Sequence, residues 1–374
     1  MEQFFDNSLT FGNLTVKNRV FLAPLAGVSD VPFRRICQEL GAGFTYVEML
    51  SATAIKYKNK RTFEMMARHS SETVLGVQVT GSSAEDVASA VEVLDAQGFN
   101  AIDINMGCPV RKVVNAGCGS AILKDQERVI QTVRLSRQAT SRPLSAKFRL
   151  GYTRDDINVE KTTENVLLAG VDMLTIHGRT RSEDYATPVD RQGIAKGIQV
   201  CNGFPNNKTI RLGNGDIFDT ASAKLMVKET GCDAIMVSRG ALGNPWIFKE
   251  ILLEKTYEPT TEEWLDVILR HISYHREFYG NSKMAAILIR KHLLWYTKGF
   301  PGCKAIRDKL NLLDDLDTGA LLLKNFAEQL PSQLTRNSLR AEEKKPTDAT
   351  YDPKYEMDRV HDRGVGDEEM TAGT

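Results

Sequence analysis

The chain has no Cys-x-x-Cys pair, no apolar run of membrane-spanning length, no excess charge of either sign and no basic, apolar leader at its start. Each absence excludes something. The six cysteines, Cys37, Cys108, Cys118, Cys201, Cys232 and Cys303, lack the spacing of a structural zinc site. In 374 residues without other marks of a secreted scaffold, they are expected to be reduced thiols, most of them small core residues. The roughly 18 consecutive apolar residues of a membrane helix occur nowhere. Met1-Glu2-Gln3 begins neither a basic n-region nor an apolar h-region, so a soluble, cytoplasmic protein with no membrane association is expected. No metal site and no obligate protein partner are implied.

The 48 basic and 48 acidic residues cancel, so summed charge does not mark a nucleic-acid binder. Their distribution is uneven. Arg270 to Lys309 holds nine Lys/Arg against two Asp/Glu, whereas Arg336 to the end holds seven against ten. A basic segment is masked by acidity elsewhere.

What is present is an alternation. Near-continuous apolar runs at Val20–Pro24, Phe44–Glu48, Leu75–Val79, Ala101–Asn105, Leu144–Phe148, Met173–His177, Thr209–Leu212 and Ala234–Val237 predict strands buried on both faces. Helix-like stretches at 83–97, 126–140, 159–169 and 219–230 lie between them. The pattern fits an α/β fold, either a (β/α)8 TIM barrel or an open doubly wound sheet. Polar or glycine-containing motifs close many of the runs, and only a barrel brings all of these ends to one face. The expected organisation is a barrel over 1–255, a smaller all-helical domain over 260–330 and a disordered, charged tail over 331–374.

Asn214-Gly215-Asp216-Ile217 and Ser238-Arg239-Gly240, in consecutive loops, offer backbone N–H groups, close approach and a fixed positive charge, which suit a phosphate-bearing cofactor. Ordinary turns and caps would use the same residues singly. Gln78 and Lys147 would enter the barrel mouth from the third and fifth strands. A lysine there can stabilise negative charge on a flavin ring, or simply reach solvent. His177, followed by Gly178-Arg179-Thr180-Arg181, suggests an anion site, with a structural histidine as the alternative. Cys108, between Gly107 and Pro109, has no histidine nearby in sequence and an ordinary pKa near 8.5, so it suits a proton donor better than a nucleophile. Cys118 reads as structural. On a helix over 282–298, Lys283, Arg290, Lys291 and Lys298 share an arc that Ile287 and Leu294 interrupt. Trp295, Tyr296 and Phe300 add aromatic surface on which RNA bases could stack, although a core helix would explain them too.

Together, Ala23-Pro-Leu-Ala-Gly-Val-Ser-Asp30, Gly76-Val-Gln78, Asp103-Ile-Asn-Met-Gly-Cys-Pro109 with Lys112, Ala146-Lys-Phe-Arg149, His177-Gly-Arg-Thr-Arg181, Asn214-Gly-Asp-Ile217 and Ser238-Arg-Gly240 resemble the tRNA-dihydrouridine synthase family, most of all its bacterial B-type branch. Arg290-Lys-His-Leu-Leu-Trp-Tyr296 and Lys298-Gly-Phe-Pro-Gly302 extend the resemblance, which spans about Phe11 to Leu310. It implies FMN in the barrel, NADPH as reductant and tRNA across barrel and helical domain. Pro24, Leu25, Ala26, Gln78, Lys147, His177, Asn214, Gly215, Asp216, Ser238 and Arg239 would hold FMN. Cys108 would protonate uracil C5 after hydride reaches C6. Asn105, Lys112, Arg149, Arg179, Arg290 and Lys291 would meet the tRNA. Leu25 stands where the family usually has Met and Ser238 where Gly is common; 182–207 departs from the family pattern. A reductase of free pyrimidines and a catalytically idle tRNA-binding protein are the rival readings. The basic helical segment speaks against the first, and the presence of Cys108 and Lys147 against the second.

Overall fold

Eight short, fully or mostly buried runs become eight parallel strands in a computed structural model that describes residues 4–204, 208–300 and 302–334. A small antiparallel hairpin comes first, β1 (Leu9–Phe11) with β2 (Leu14–Val16). The barrel strands follow as β3 (Val20–Leu22), β4 (Tyr46–Ser51), β5 (Gly76–Thr80), β6 (Ala101–Met106), β7 (Leu144–Arg149), β8 (Met173–His177), β9 (Ile210–Asn214) and β10 (Ala234–Val237). Their order in the sheet is β3-β10-β9-β8-β7-β6-β5-β4. A parallel bridge between Phe21 and Phe44, with Leu22 N–H donating to the Phe44 carbonyl at 2.9 Å, joins the ends into a closed barrel. The (β/α)8 expectation holds.

The helices are α1 (Val31–Glu39), α2 (Ala52–Lys56), α3 (Lys60–Met65), α4 (Ala84–Ala96), α5 (Arg111–Asn115), α6 (Gln126–Gln138), α7 (Val159–Ala169), α8 (Arg191–Val200), α9 (Thr220–Thr230), α10 (Ile247–Leu252), α11 (Thr261–Tyr279), α12 (Lys283–Tyr296), α13 (Cys303–Asn311) and α14 (Leu316–Ala327). Short polar caps start many of them: Asp30, Ser83, Asp125, Asp219, Thr260 and Ser282 each accept from an amide of the first turn. Among the described residues no helix is long and apolar enough to cross a membrane.

Two cores organise the molecule. Inside the barrel, Phe11 of the hairpin packs on Phe21 and Phe44, and Phe44 on Tyr46, with centroids 6.3, 5.8 and 4.8 Å apart. This aromatic cluster fills the interior from the hairpin side, so the open end is the carboxyl end of the strands. The second core belongs to α11–α14, built around Trp264, Ile268, Ile289, Leu293, Leu310 and Phe326, and it takes in Ile36 of α1 and Trp246. The expected aromatic RNA surface is not there. Tyr296 and Phe300 are buried in this second core, and Trp295 packs against the barrel core, because apolar area gains more from burial than from solvent exposure. Most of the expected charged tail, residues 335–374, lies outside the described residues.

Candidate active site

A cavity of about 710 Å³ opens at the carboxyl ends of the strands, and the polar strand ends converge on it. Register explains the convergence. Asn105 pairs with Lys147, Arg149 with His177, and His177 with Asn214, and Lys147 and Arg149 are two apart on β7, so all five side chains share one face of the sheet. Every residue expected to hold the cofactor lines the cavity: Pro24, Leu25, Ala26, Gln78, Lys147, His177, Asn214, Gly215, Asp216, Ser238 and Arg239. Cys108, Asn105, Arg149, Arg179 and Lys291 line it as well.

The floor is a connected polar network. Ser145 Oγ donates to Asp103 Oδ1 at 2.6 Å, and Gln78 Nε2 donates to Asp103 Oδ2 at 2.7 Å. Asn105 Nδ2 donates to Gln78 Oε1 at 2.9 Å, while its Oδ1 accepts from the amides of Gly107 and Cys108 at 3.0 and 2.8 Å. Burial lifts the Asp103 carboxyl to about 6, against the pull of its two side-chain donors and Lys147. The network fixes the amide orientation of Gln78 and, through Asn105, the start of the Cys108 loop. Arg149 holds that loop from the other side: its Nε donates to the Gly107 carbonyl at 2.8 Å and its Nη1 to the Thr180 carbonyl at 2.7 Å.

Cys108 is half-buried, and burial pushes its thiol up despite the nearby Val110 amide, Arg149 and Lys147. It therefore keeps its proton at neutral pH, as an acid must. Lys147 donates to Asn214 Oδ1 at 3.1 Å. Burial first, and Arg149 second, lower its ammonium to about 8. Asn214 Nδ2 is in turn held by the Met236 carbonyl and the Ser238 hydroxyl at 2.7 and 3.0 Å.

Burial and the surrounding cations drive the His177 pKa well below its usual value, so the ring is neutral. Arg179 Nη1 lies 3.3 Å from its Nε2, which accordingly accepts. The two arginines that follow His177 in the expected anion site part company. Arg179 is buried and bonded to Thr187, Tyr185 and Asp216, whereas Arg181 lies over the Tyr152 ring, 5.4 Å from its centroid. Asp216, at φ +47°, bridges Arg179 and Arg239 at 2.5 and 2.8 Å. Arg239 also sits 4.0 Å from the Tyr185 ring centroid.

Two expected substrate residues lie away from the cavity lining. Lys112 is exposed on α5, and Arg290 Nε donates to the Leu313 carbonyl at 2.6 Å within the helical unit. Other lining residues were not singled out as ligands in the sequence: Glu48 and Met49 of β4, Arg61 and Met65 of α3, Tyr185, and Phe278, Tyr279 and Leu288 from the helical unit. For Phe278 and Tyr279 a signal existed, two adjacent aromatics closing a long amphipathic helix just before Gly280.

A family model described as dihydrouridine synthase (Dus) matches residues 21–334. The chain is 35% identical over 323 residues to "tRNA-dihydrouridine synthase B" of Pasteurella multocida, covering 85% of this chain and 95% of the relative. Against the protein of the same name in Pseudomonas aeruginosa, identity is 33% over 84% of this chain and 94% of the relative. Against a "probable tRNA-dihydrouridine synthase" of Rickettsia conorii it is 31%, over 89% and 99%. Among solved structures, a 2-naphthoyl-CoA reductase complex aligns with TM-score 0.52 at 11% identity, over 68% of this chain and 53% of that one. A 6-hydroxypseudooxynicotine amine oxidase from Pseudomonas geniculata N1 aligns with TM-score 0.52 at 12% identity, over 71% and 52%. The chain spans about half of each, and these likenesses concern fold alone.

Proposed function

The chain belongs to the dihydrouridine synthase family, and from that premise we propose that it reduces uridine in tRNA to 5,6-dihydrouridine, with FMN as its flavin and NADPH as reductant. The observation that carries the reading is the convergence of Cys108, Lys147 and the Gln78–Asn105 pair on one cavity at the open end of the barrel. The residues fit the flavin. A volume of about 710 Å³ lies within the range of cofactor sites. Its lining includes Gly215 from the loop after β9 and Arg239 and Gly240 from the loop after β10, a combination suited to a phosphate. When bound, FMN supplies the hydride for C6 of the uracil.

The rest is work for this chain's own side chains. Pro24, Leu25 and Ala26 would offer the flavin an apolar surface, and Gln78 an amide fixed by Asp103 and Asn105. Lys147 supplies positive charge beside Asn214. Cys108 holds a proton for C5 and delivers it from a loop fastened by Asn105 and Arg149. Arg179 serves mainly to position Asp216 and His177. Lys112 and Arg290 are assigned to the tRNA. The uridine must leave the base stack to reach the cavity, at a cost of a few kcal/mol. With tRNA as its substrate, the proposed compartment of the enzyme is the cytoplasm.

The test is the absorbance spectrum of the purified protein, followed by dihydrouridine formation on unmodified tRNA. Cys108→Ala should lower turnover by about 10²–10⁴-fold while NADPH still reduces the bound flavin. Wild-type turnover in that variant would assign the proton to another donor. Protein unable to take up FMN would sink the enzyme reading, and a flavoprotein active on free uracil but not tRNA would support the small-pyrimidine rival.

A further inference from the structure

Arg290 and Lys291 are adjacent in sequence and suggest two phosphate contacts, yet the fold sends them to different places. Arg290 is committed to the Leu313 carbonyl. Lys291 turns towards the barrel, lines the cavity and donates from Nζ to the carbonyl of Gly27. The N–H of the same glycine donates to Glu48 Oε2 at 2.5 Å. Gly27 thus has its donor held by a carboxylate of β4 and its acceptor held by an ammonium of α12, 264 positions away.

The turn that contains Gly27 runs from Pro24 to Val28 and lines the cavity as far as Gly27. Its other bonds are local: Val28 N–H to the Leu25 carbonyl at 3.0 Å, and two bonds between Leu25 and the Ser29 hydroxyl at 2.9 and 3.1 Å. Gly27 adopts φ +70°, and a Cβ there would meet nothing within 4 Å. Leu25 and Val28 of the turn pack on the barrel core, while the Gly27 peptide groups between them are held by Glu48 and Lys291. Glu48 belongs to the same arrangement. Burial raises its carboxyl, while the Gly27 N–H and the Lys291 charge draw it back down.

We propose that Glu48 and Lys291 are positioning residues that clamp the Pro24–Gly27 turn and tie its placement to the seating of the helical unit on the barrel. Lys291 is then not a phosphate contact. The inference rests on the reading of this cavity as the flavin and uridine site. A half-buried ammonium already spent on a carbonyl, with Glu48 close by, contributes little to counterion release from RNA.

The experiment uses the full-length holoenzyme with Lys291→Met, Lys291→Arg and Glu48→Gln. Three readouts are amide hydrogen exchange across residues 24–28, the visible spectrum of the bound flavin, and the salt dependence of KM for tRNA. Lys291→Met should speed exchange at Gly27 by roughly tenfold, leave β6 protected, shift the flavin spectrum and lower kcat. KM and its salt slope should stay close to wild type. Lys291→Arg should restore most of the protection, and Glu48→Gln should raise Gly27 exchange by a smaller factor. Wild-type exchange in both Lys291→Met and Glu48→Gln would overturn the clamp. So would a loss of about one unit from the salt slope, the signature of a phosphate contact. If Lys291→Met does not fold, Glu48→Gln decides alone. Protein without flavin or dihydrouridine would defeat the functional reading, while the exchange comparison still decides the clamp.

Discussion

Lys147 stands at the point where burial and charge meet. Its ammonium is lowered to about 8 by desolvation and by Arg149, while Asp103 and Cys108 pull the other way. Below that value the cavity contains a fixed positive charge, and above it the charge is lost. The rate of flavin reduction by NADPH should accordingly be flat up to about pH 7 and fall as pH rises through 8. Lys147→Arg should move the decline to higher pH, since guanidinium does not titrate there. An identical profile in that variant would assign the titration elsewhere. Lys147, Gln78 and Cys108 were legible in the sequence because each stands at or just beyond the end of an apolar run, and such ends share one face of a barrel. Glu48 and Lys291 were legible only as a strand-end acid and a helical base. Their common partner is a backbone glycine, which carries no side-chain signal and is far from Lys291 in sequence.

Strand positions could be read for the same reason that the barrel forms: both faces are buried, so the runs are continuous and short. The connection between β8 and β9 could not. Its helix α8 contains Gly193 and Gly197, which argue against a helix by propensity. The fold requires them. A Cβ at Gly193 would lie 2.8 Å from Leu150 Cδ1, and one at Gly197 would lie 2.6 Å from Ile176 Cδ1, so small residues let α8 lie close on the barrel. Propensity lost to packing. The loops after β9 and β10 use glycine in a related way. A Cβ at Gly240 would stand 2.1 Å from the Ile217 carbonyl oxygen, which means the two loops touch backbone to backbone. Gly240→Ala must push them apart, and both carry groups assigned to the phosphate. FMN affinity should fall by tenfold or more, with roughly 1–3 kcal/mol lost in stability from overpacking. A fluorescence titration alongside a denaturant melt measures both, and unchanged affinity in a folded variant would remove these loops from the cofactor site.

On the scale of the whole molecule, the helical unit meets the barrel through a buried cluster of neutral histidines. His271, His275 and His292, three of the six in the chain, are buried at the junction with α1. Phe33 of α1 packs on His271 and His292, with centroids 6.0 and 5.0 Å apart. The surrounding groups fix their state. His275 Nε2 donates to the Ala285 carbonyl at 2.8 Å, its Nδ1 lies 4.0 Å from Asp30 Oδ2, and His271 Nδ1 is 3.1 Å from the Tyr296 hydroxyl. Burial first, then the neighbouring histidines and Lys291, lower His271 to about 3 and His292 well below its usual value; burial lowers His275 against the pull of Asp30. Their folded pKa values therefore lie below the unfolded one near 6.5. Above that pH both states are neutral and the cluster costs nothing. As pH falls below it, the unfolded chain takes up protons that the folded chain refuses, and stability declines until the folded values are reached, near pH 3 for His271. Each histidine held neutral in this way contributes up to about 1.4 kcal/mol per pH unit, and buried His177 of the barrel adds to the slope set by the cluster. Urea unfolding between pH 7.5 and 5 should show this slope, with amide protection lost in α11 and α12 before β6. His271→Phe, which keeps the ring stack but cannot protonate, should reduce the slope by about one proton. If that variant follows the wild-type pH dependence, the acid sensitivity arises outside the histidine cluster.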